Sequence, residues 1–205
     1  MENEMVPPEI KGKNTDLERC FEAATVEAAI SIYKMASERM LDPFCWHKLC
    51  GPASAEFALM DEKGEPIDGP AKRGDHLRID IPGPGTATGG GYDWVRVEFI
   101  EEISNPAKDE ESCGMKVRAA SAPGKEQKDT AHFFKTDATS SFIVHRSQNR
   151  VTASYHGRNE IPNTSTGNTT DNIRNTMVAM GAIAGFSEVQ WSGLVKGFLK
   201  NETGQ

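Results

Sequence analysis

The chain has 205 residues, enough for one sizeable hydrophobic core or for a compact β-domain that carries additional helices. Its hydrophobic content of 37% and charged content of 26% exclude an integral membrane protein and a fully disordered chain. The formal net charge of −7 argues against non-specific binding to nucleic acid, because the phosphate backbone favours basic surfaces.

The N-terminal residues lack the features of a secretory signal. Met1 is followed by acidic residues where a signal peptide carries basic ones, and no apolar stretch comes next. The longest apolar run, residues 177–186, is shorter than the roughly 20 residues that cross a bilayer. We therefore expect a soluble cytoplasmic protein that contacts no membrane. Residues 1–14 are polar, contain Pro7-Pro8 and are expected to form a flexible arm.

The first predicted element is a helix over residues 15–41. Thr15-Asp16-Leu17-Glu18 has the form of a capping box, in which the hydroxyl and the carboxylate each satisfy a free backbone N–H. Apolar residues then recur at helical spacing, at Leu17, Phe21, Ala24, Ala28, Ile32 and Met35. Pro43 restricts the backbone of Asp42, so the helix ends by Leu41.

Residues 42–162 are predicted to form a small antiparallel β-domain. Alternating apolar and polar residues indicate strands near 55–60, 76–81, 92–103, 115–120, 131–135, 141–146 and 150–155. The connection between the second and third of these strands contains the Gly-rich loop of residues 83–91. That loop has neither the lysine of a phosphate-binding P-loop nor the spacing of a dinucleotide site, so we expect no cofactor. Its length is typical of a loop that contacts a partner.

Residues 75–103 form a strand, a long loop and a second strand. Gly74-Asp75 precedes the first strand, and Tyr92 and Trp94 open the second. With these features the segment resembles an SH3-like barrel, and the chain resembles uncharacterised bacterial proteins in which such a barrel is flanked by helices. The resemblance implies a fold and no activity.

Residues 163–205 are predicted to form a polar linker and two helices, over 171–184 and 188–200. Trp191 and Phe198 share one face of the last helix and are expected to pack on the β-domain. The complete prediction is an α+β protein, in which a small antiparallel SH3-like β-barrel carries an N-terminal helix and a C-terminal helical pair.

The densest group of reactive side chains is Cys45-Trp46-His47-Lys48-Leu49-Cys50. No second cysteine pair lies at zinc-finger spacing, so we expect no metal site, and buried reduced cysteines are one interpretation. The other is a Cys–His hydrolase of the cysteine-peptidase type, in which Cys45 or Cys50 is the nucleophile and His47 or His145 the base.

The strand pair near 141–158 reverses the sign of the chain's charge. Residues 138–159 contain three arginines and two histidines but no carboxylate. A two-residue turn at Gln148-Asn149 places Phe142 opposite Tyr155 and Val144 opposite Ala153, on the core face. It leaves three basic residues on the other face, namely His145, His156 and Arg158. This pattern fits an extended anionic ligand or an acidic segment of a partner, or a solvated face whose charges pair elsewhere in the chain.

The first functional hypothesis is therefore a non-catalytic binding or interaction module. It contacts a protein or a small anionic ligand through the basic strand face and the Gly-rich loop, with His145, His156, Arg158, Tyr92 and Trp94 as candidate binding residues. The alternative is the Cys–His hydrolase.

Overall fold

A seven-stranded antiparallel sheet is the centre of the fold. The computed structural model describes residues 2–50, 54–81, 86–124, 129–164, 166–183 and 186–200. The strands are β1 (Lys13–Glu22), β2 (Glu56–Met60), β3 (His76–Asp80), β4 (Asp93–Asn105), β5 (Glu110–Ala119), β6 (Thr139–Ser147) and β7 (Arg150–Glu160). Their order across the sheet is β1-β7-β6-β5-β4-β3-β2.

Helices cover one face of this sheet. They are α1 (Glu2–Met5), α2 (Val26–Leu41), α3 (Trp46–Cys50), α4 (Thr169–Ile183) and α5 (Phe186–Leu199), with a single 3-10 turn at Pro43–Cys45. All of them except α1 pack on the side of the sheet that carries Phe142 and Tyr155, or along the margin of that side. This side is called the helix-covered face. The opposite side, which carries Ser141, His156 and Arg158, is called the outer face. None of the described helices combines the length and apolarity that crossing a bilayer requires.

The α+β class is confirmed, but the SH3-like barrel is wrong. The sheet is open, and β1 and β2 form its two edges in the described part of the chain. A barrel buries its apolar side chains against its own opposite wall. Here α2 and α5 bury them instead, so the sheet has no need to close.

The predicted helix over residues 15–41 is wrong in its first half. Residues 13–22 form β1, which pairs with β7 and places Leu17 opposite Tyr155 and Phe21 opposite Val151. The helix begins only at Val26, after the N-cap Thr25. A spacing of four residues, as between Leu17 and Phe21, keeps two side chains on the same face in a helix and in a strand alike. The apolar pattern therefore could not distinguish the two.

The predicted register of β6 and β7 is confirmed. Phe142 lies opposite Tyr155 and Val144 opposite Ala153, and all four are buried. The two C-terminal helices are also present, with bounds close to those predicted. Phe198 is fully buried, and Trp191 stacks on Tyr155 with ring centroids 5.0 Å apart. The strand predicted near 131–135 is reduced to a single bridge between Phe134 and Pro162.

Candidate functional site

Aromatic side chains fill the middle of the helix-covered face. The ring of Trp46 lies 4.8 Å from that of Phe142 and 5.2 Å from that of Phe57. Trp191 contacts Phe142 at 5.5 Å and stacks on Tyr155. Rings from α3, α5 and three strands thus interlock, and this region is packed core.

Polar groups replace the aromatic rings where β6 begins and β7 ends. The buried carboxyl of Glu160 lies 3.4 Å from the hydroxyl of Tyr155 and 3.4 Å from that of Thr15. Burial raises the pKa of Glu160 above its usual value. Burial also raises the pKa of Tyr155 well above its usual value, and the nearby carboxyl of Glu160 adds to this shift. Ser140 extends the group through a contact of 3.2 Å between its hydroxyl and that of Tyr155.

A small cavity of about 20 Å³ lies beside these groups, with His132, Thr139, Ser140 and Glu160 in its lining. Thr139 Oγ1 is buried and has no hydrogen-bond partner among the residues that the structure describes. Burial lowers the pKa of His132 to about 4, so this imidazole is neutral at pH 7. The volume accommodates about one water molecule, whereas pockets for organic ligands measure several hundred Å³. The cavity is therefore a site for solvent in this state of the chain.

A buried ion pair ties α4 to the sheet near this cavity. Arg174 donates to both carboxylate oxygens of Asp93, and the two side chains are only 5% and 1% exposed. Asp93 also accepts the backbone N–H of Phe133 at 2.9 Å. This pair fixes the segment before β6 as well as α4.

The described part of the Gly-rich loop, residues 86–91, is anchored to α4. Residues 83–85 lie outside the described part of the chain, but Asp171 accepts hydrogen bonds from Ala87 N at 2.7 Å, Thr88 N at 2.9 Å and Thr88 Oγ1 at 2.6 Å. At the end of this loop, Trp94 is buried and donates from Nε1 to Gly89 O. The loop is thus held on the fold by its backbone.

Tyr92, the other aromatic candidate, is half-buried at the start of β4. The guanidinium of Arg78 lies 4.5 Å from its ring centroid, a cation–π contact. Tyr92 therefore retains a partly accessible face beside a positive charge.

The two candidate nucleophiles lie in an environment that keeps them protonated. Burial raises the pKa of Cys45 to about 11 and that of Cys50 to about 12. The Cys45 sulfur lies 3.1 Å from the carbonyl oxygen of Asp42, and among the described residues no histidine lies within hydrogen-bonding distance of either sulfur. His47 Nδ1 is 3.0 Å from Phe44 O. A nucleophilic cysteine needs the opposite setting, a lowered pKa and a neighbouring base.

We expect a thiol-reactive probe at pH 7 to label Cys20 at least about tenfold faster than Cys45, Cys50 or Cys113, because each unit of raised pKa lowers the thiolate fraction tenfold. Cys20 is exposed, whereas burial raises the pKa of Cys113 to about 12. Timed labelling followed by peptide mass spectrometry measures the four rates, and the urea-unfolded chain provides the control in which they converge. Fastest labelling at Cys45 or Cys50 would instead favour the hydrolase.

The basic residues of β7 share one carboxylate on the outer face. His156 Nδ1 lies 2.5 Å from Asp16 Oδ1, and Arg158 Nη2 donates to the same oxygen at 2.7 Å. Ser154 Oγ contacts the other ring nitrogen of His156 at 3.0 Å. His145 is half-buried on the same face of β6.

The other arginines of this charge cluster also have acidic partners. Arg146 binds Asp109 and Glu111 at 2.7 Å each, and Arg150 lies 4.0 Å from Glu22. The positive charge of this cluster is thus compensated by acidic residues on β1, on β5 and in the turn that precedes β5.

Residues 4–11, called the N-terminal segment below, lie across the outer face, so the predicted flexible arm is wrong for this part of the chain. Met5 is buried on the sheet and only 6% exposed. Its carbonyl accepts a hydrogen bond of 2.5 Å from Ser141 Oγ, and that of Glu4 accepts one of 2.7 Å from Lys116 Nζ. Farther along, Asn159 binds the backbone of Ile10 and Lys11.

No protein-family model and no curated protein matches the chain. Solved structures resemble it at a distance. A truncated norcoclaurine synthase from Thalictrum flavum shares 10% identity over 94% of this chain and 96% of its own, with a TM-score of 0.40. Major latex-like protein 151 from Panax ginseng shares 16% identity over 84% and 96%, with a TM-score of 0.32. The di-domain ARO/CYC BexL of the BE-7585A biosynthetic pathway shares 12% identity over 91% and 46%, with a TM-score of 0.39. These likenesses are too remote to assign an activity.

Among the described residues, no three His, Cys, Asp or Glu side chains are grouped so that they could hold a metal ion. Nothing in the sequence pattern placed Glu160 or His132 beside a cavity, or the N-terminal segment on the sheet. The available signal was Gly114 inside β5, because glycine in a strand often marks the close approach of another segment.

Proposed function

We propose that the protein is a non-catalytic binding module whose outer face binds an acidic protein segment or a small anionic ligand around His156 and Arg158. The observation that carries the proposal is the carboxylate already held there. Asp16 is 49% exposed at the side chain, whereas its donors His156 and Arg158 are only 23% and 13% exposed. An internal carboxylate therefore occupies the accessible side of a two-donor anion site.

The electrostatics of this site favour an anion. Burial alone would raise the pKa of Asp16, but hydrogen bonds from Arg158 and His156 lower it below its usual value. The same donors can bind an external carboxylate or phosphate when Asp16 is neutralised. His145 lies on the same face of the sheet and would extend the contact, while the half-buried Tyr92 would provide a second contact beside the Gly-rich loop. Trp94 is buried and would support this loop from below without touching the ligand. The proposal requires no cofactor or metal.

We expect Asp16→Asn to strengthen binding of an acidic ligand by about 5- to 10-fold, because it removes the internal competitor and leaves both donors in place. Fluorescence anisotropy of a labelled oligoglutamate peptide measures the effect. The gain should shrink as the salt concentration rises from 20 to 200 mM (about 21 to 7 Å of screening length), since exposed charges are screened.

Glu18→Gln is the matched control. Glu18 is the next outward-facing acid of β1, so its replacement changes the net charge equally without releasing either donor. The combination of Asp16→Asn with Arg158→Gln should return the affinity to the wild-type level or below. Equal affinities for Asp16→Asn and Glu18→Gln would show that only net charge matters and would refute the proposed site.

A further inference from the structure

The outer face of the sheet has a notch at Gly114, where the strand β5 carries no side chain. A Cβ atom at this position would lie 2.6 Å from Met5 Cε, closer than real Cβ atoms approach their neighbours, and 3.1 Å from Met5 Sδ, which is tighter than most such contacts. Glycine is disfavoured in a strand because it has no side chain to pack against its neighbours. At Gly114 the missing side chain leaves room for the thioether of Met5 to bury itself against the sheet.

Side chains on both sides of the notch bind main-chain atoms of the segment that fills it. Ser141 Oγ donates to Met5 O at 2.5 Å, and Lys116 Nζ donates to Glu4 O at 2.7 Å. Both donors are buried. Glu4 and Met5 form the end of the short helix α1, so their successive carbonyl groups point the same way. Since the two bonds engage carbonyl groups, any segment that forms such a turn satisfies them, and selectivity comes from the side chain that enters the notch.

A second anchor lies at the end of β7. Asn159 Oδ1 accepts hydrogen bonds from Ile10 N at 2.9 Å and Lys11 N at 3.3 Å, and its own backbone N–H donates to Glu9 Oε2 at 2.7 Å. Asn159 adopts a φ of 58°, which is uncommon for a residue other than glycine.

The chain between the anchors is preorganised by Pro7-Pro8, which favours an extended backbone and lowers the entropy lost on docking. Ile10 is 84% exposed, so Met5 is the apolar anchor of the segment. One buried side chain and a few hydrogen bonds hold the segment in place. A segment held in this way can be exchanged for a partner of the same chemistry, at concentrations that overcome the advantage of the covalent tether.

We propose that the Gly114 notch, flanked by Ser141 and Lys116, is a recognition site for a protein segment that presents an unbranched apolar side chain and two successive carbonyl groups from one helical turn, and that residues 4–11 occupy it as an exchangeable internal ligand. The site adjoins the proposed anion site, because Ser141 lies opposite His156 in the sheet register. It is chemically independent of that site, since it recognises an apolar side chain and a backbone.

The test uses the full chain and a fluorescent peptide with the sequence of residues 2–12. Met5→Ala should increase the affinity for this peptide by about 10-fold, because it weakens the internal competitor while leaving the notch intact. Val6→Ala is the matched control within the same segment and should bind as the wild type does. A peptide in which methionine is replaced by alanine should bind the Met5→Ala chain about 10-fold more weakly than the parent peptide.

Gly114→Ala closes the notch. The three atoms nearest to the added methyl group all belong to the flexible side chain of Met5, so the sheet can fold while the segment is released. Combined with Met5→Ala, it should abolish the gain in peptide affinity. A circular dichroism spectrum like that of the wild type confirms that this variant is folded. If Met5→Ala fails to increase the affinity, or if the double variant binds the peptide as tightly as Met5→Ala does, the notch proposal is overturned.

The two proposals fail separately. Oligoglutamate contains no apolar side chain and reports on the anion site through Asp16→Asn. The methionine-dependent part of peptide binding reports on the notch alone. Loss of the first effect with retention of the second refutes the proposed function, and the reverse pattern refutes only the notch.

Discussion

Arg174→Met is expected to destabilise the protein by about 3–5 kcal/mol, the cost of leaving a buried charge without its partner. The Asp93 side chain is 1% exposed and Arg174 donates to both of its carboxylate oxygens. Methionine retains most of the volume of arginine but no charge, so the carboxylate would remain in a medium of low polarity. Equilibrium unfolding in urea at pH 7 measures the loss.

A double-mutant cycle separates the charge effect from lost packing. Asp93→Asn combined with Arg174→Met should recover most of the lost stability, because a neutral amide costs far less to bury than an unpaired carboxylate. Arg150→Met is the matched control, because the 4.0 Å contact of Arg150 with Glu22 is exposed and should contribute less than about 0.5 kcal/mol. Equal losses in the free energy of unfolding for Arg174→Met and Arg150→Met would show that the buried pair stabilises the protein no more than the exposed one.

The local parts of the fold could be predicted from the sequence. The hairpin of β6 and β7 followed from the alternation of apolar and polar residues and from a two-residue turn. Its register placed Phe142 and Tyr155 on the face that packs against the core. The last helix followed from the spacing of Trp191 and Phe198. In each case residues near one another in the chain contain the necessary information.

The long-range parts could not be predicted. Leu17 and Phe21 fit a helix and a strand equally well, and only pairing with β7 at the other end of the chain decides between them. With those residues assigned to a helix, the edge strand β1 was missing from the prediction. A small closed barrel was then the simplest arrangement of the remaining strands.

The candidate sites show the same limit. The basic character of His156 and Arg158 was visible in the sequence, but their partner Asp16 lies in the strand that was assigned to a helix. His132 and Glu160 are far apart in sequence, and no pattern indicates that they line one cavity. Their protonation depends on burial, which follows only from the complete fold.

Acid should destabilise this protein through His132. Burial lowers the pKa of this imidazole from 6.5 to about 4, while nearby Asp93 and Arg174 act in opposite directions. Below pH 6.5 the unfolded chain binds a proton that the folded protein does not bind until about pH 4. The contribution of His132 to stability is therefore fully present at pH 7 and is lost as the pH falls from about 6.5 to 4. A difference of this size corresponds to about 3 kcal/mol.

His132→Asn isolates this effect, because the asparagine Oδ1 can still accept the hydrogen bond that Phe134 N donates to His132 Nδ1. The wild type should lose about 3 kcal/mol more than this variant between pH 7 and pH 4, measured by urea unfolding at both values. His47→Asn is the matched control and should follow the wild type, because His47 lies partly exposed in the short helix α3. The comparison of variants also removes the opposite contribution of Glu160, whose raised pKa favours the folded state as the pH falls. Parallel losses in the wild type and in His132→Asn would mean that the imidazole is protonated in the folded protein, and that the wall of the cavity opens to solvent.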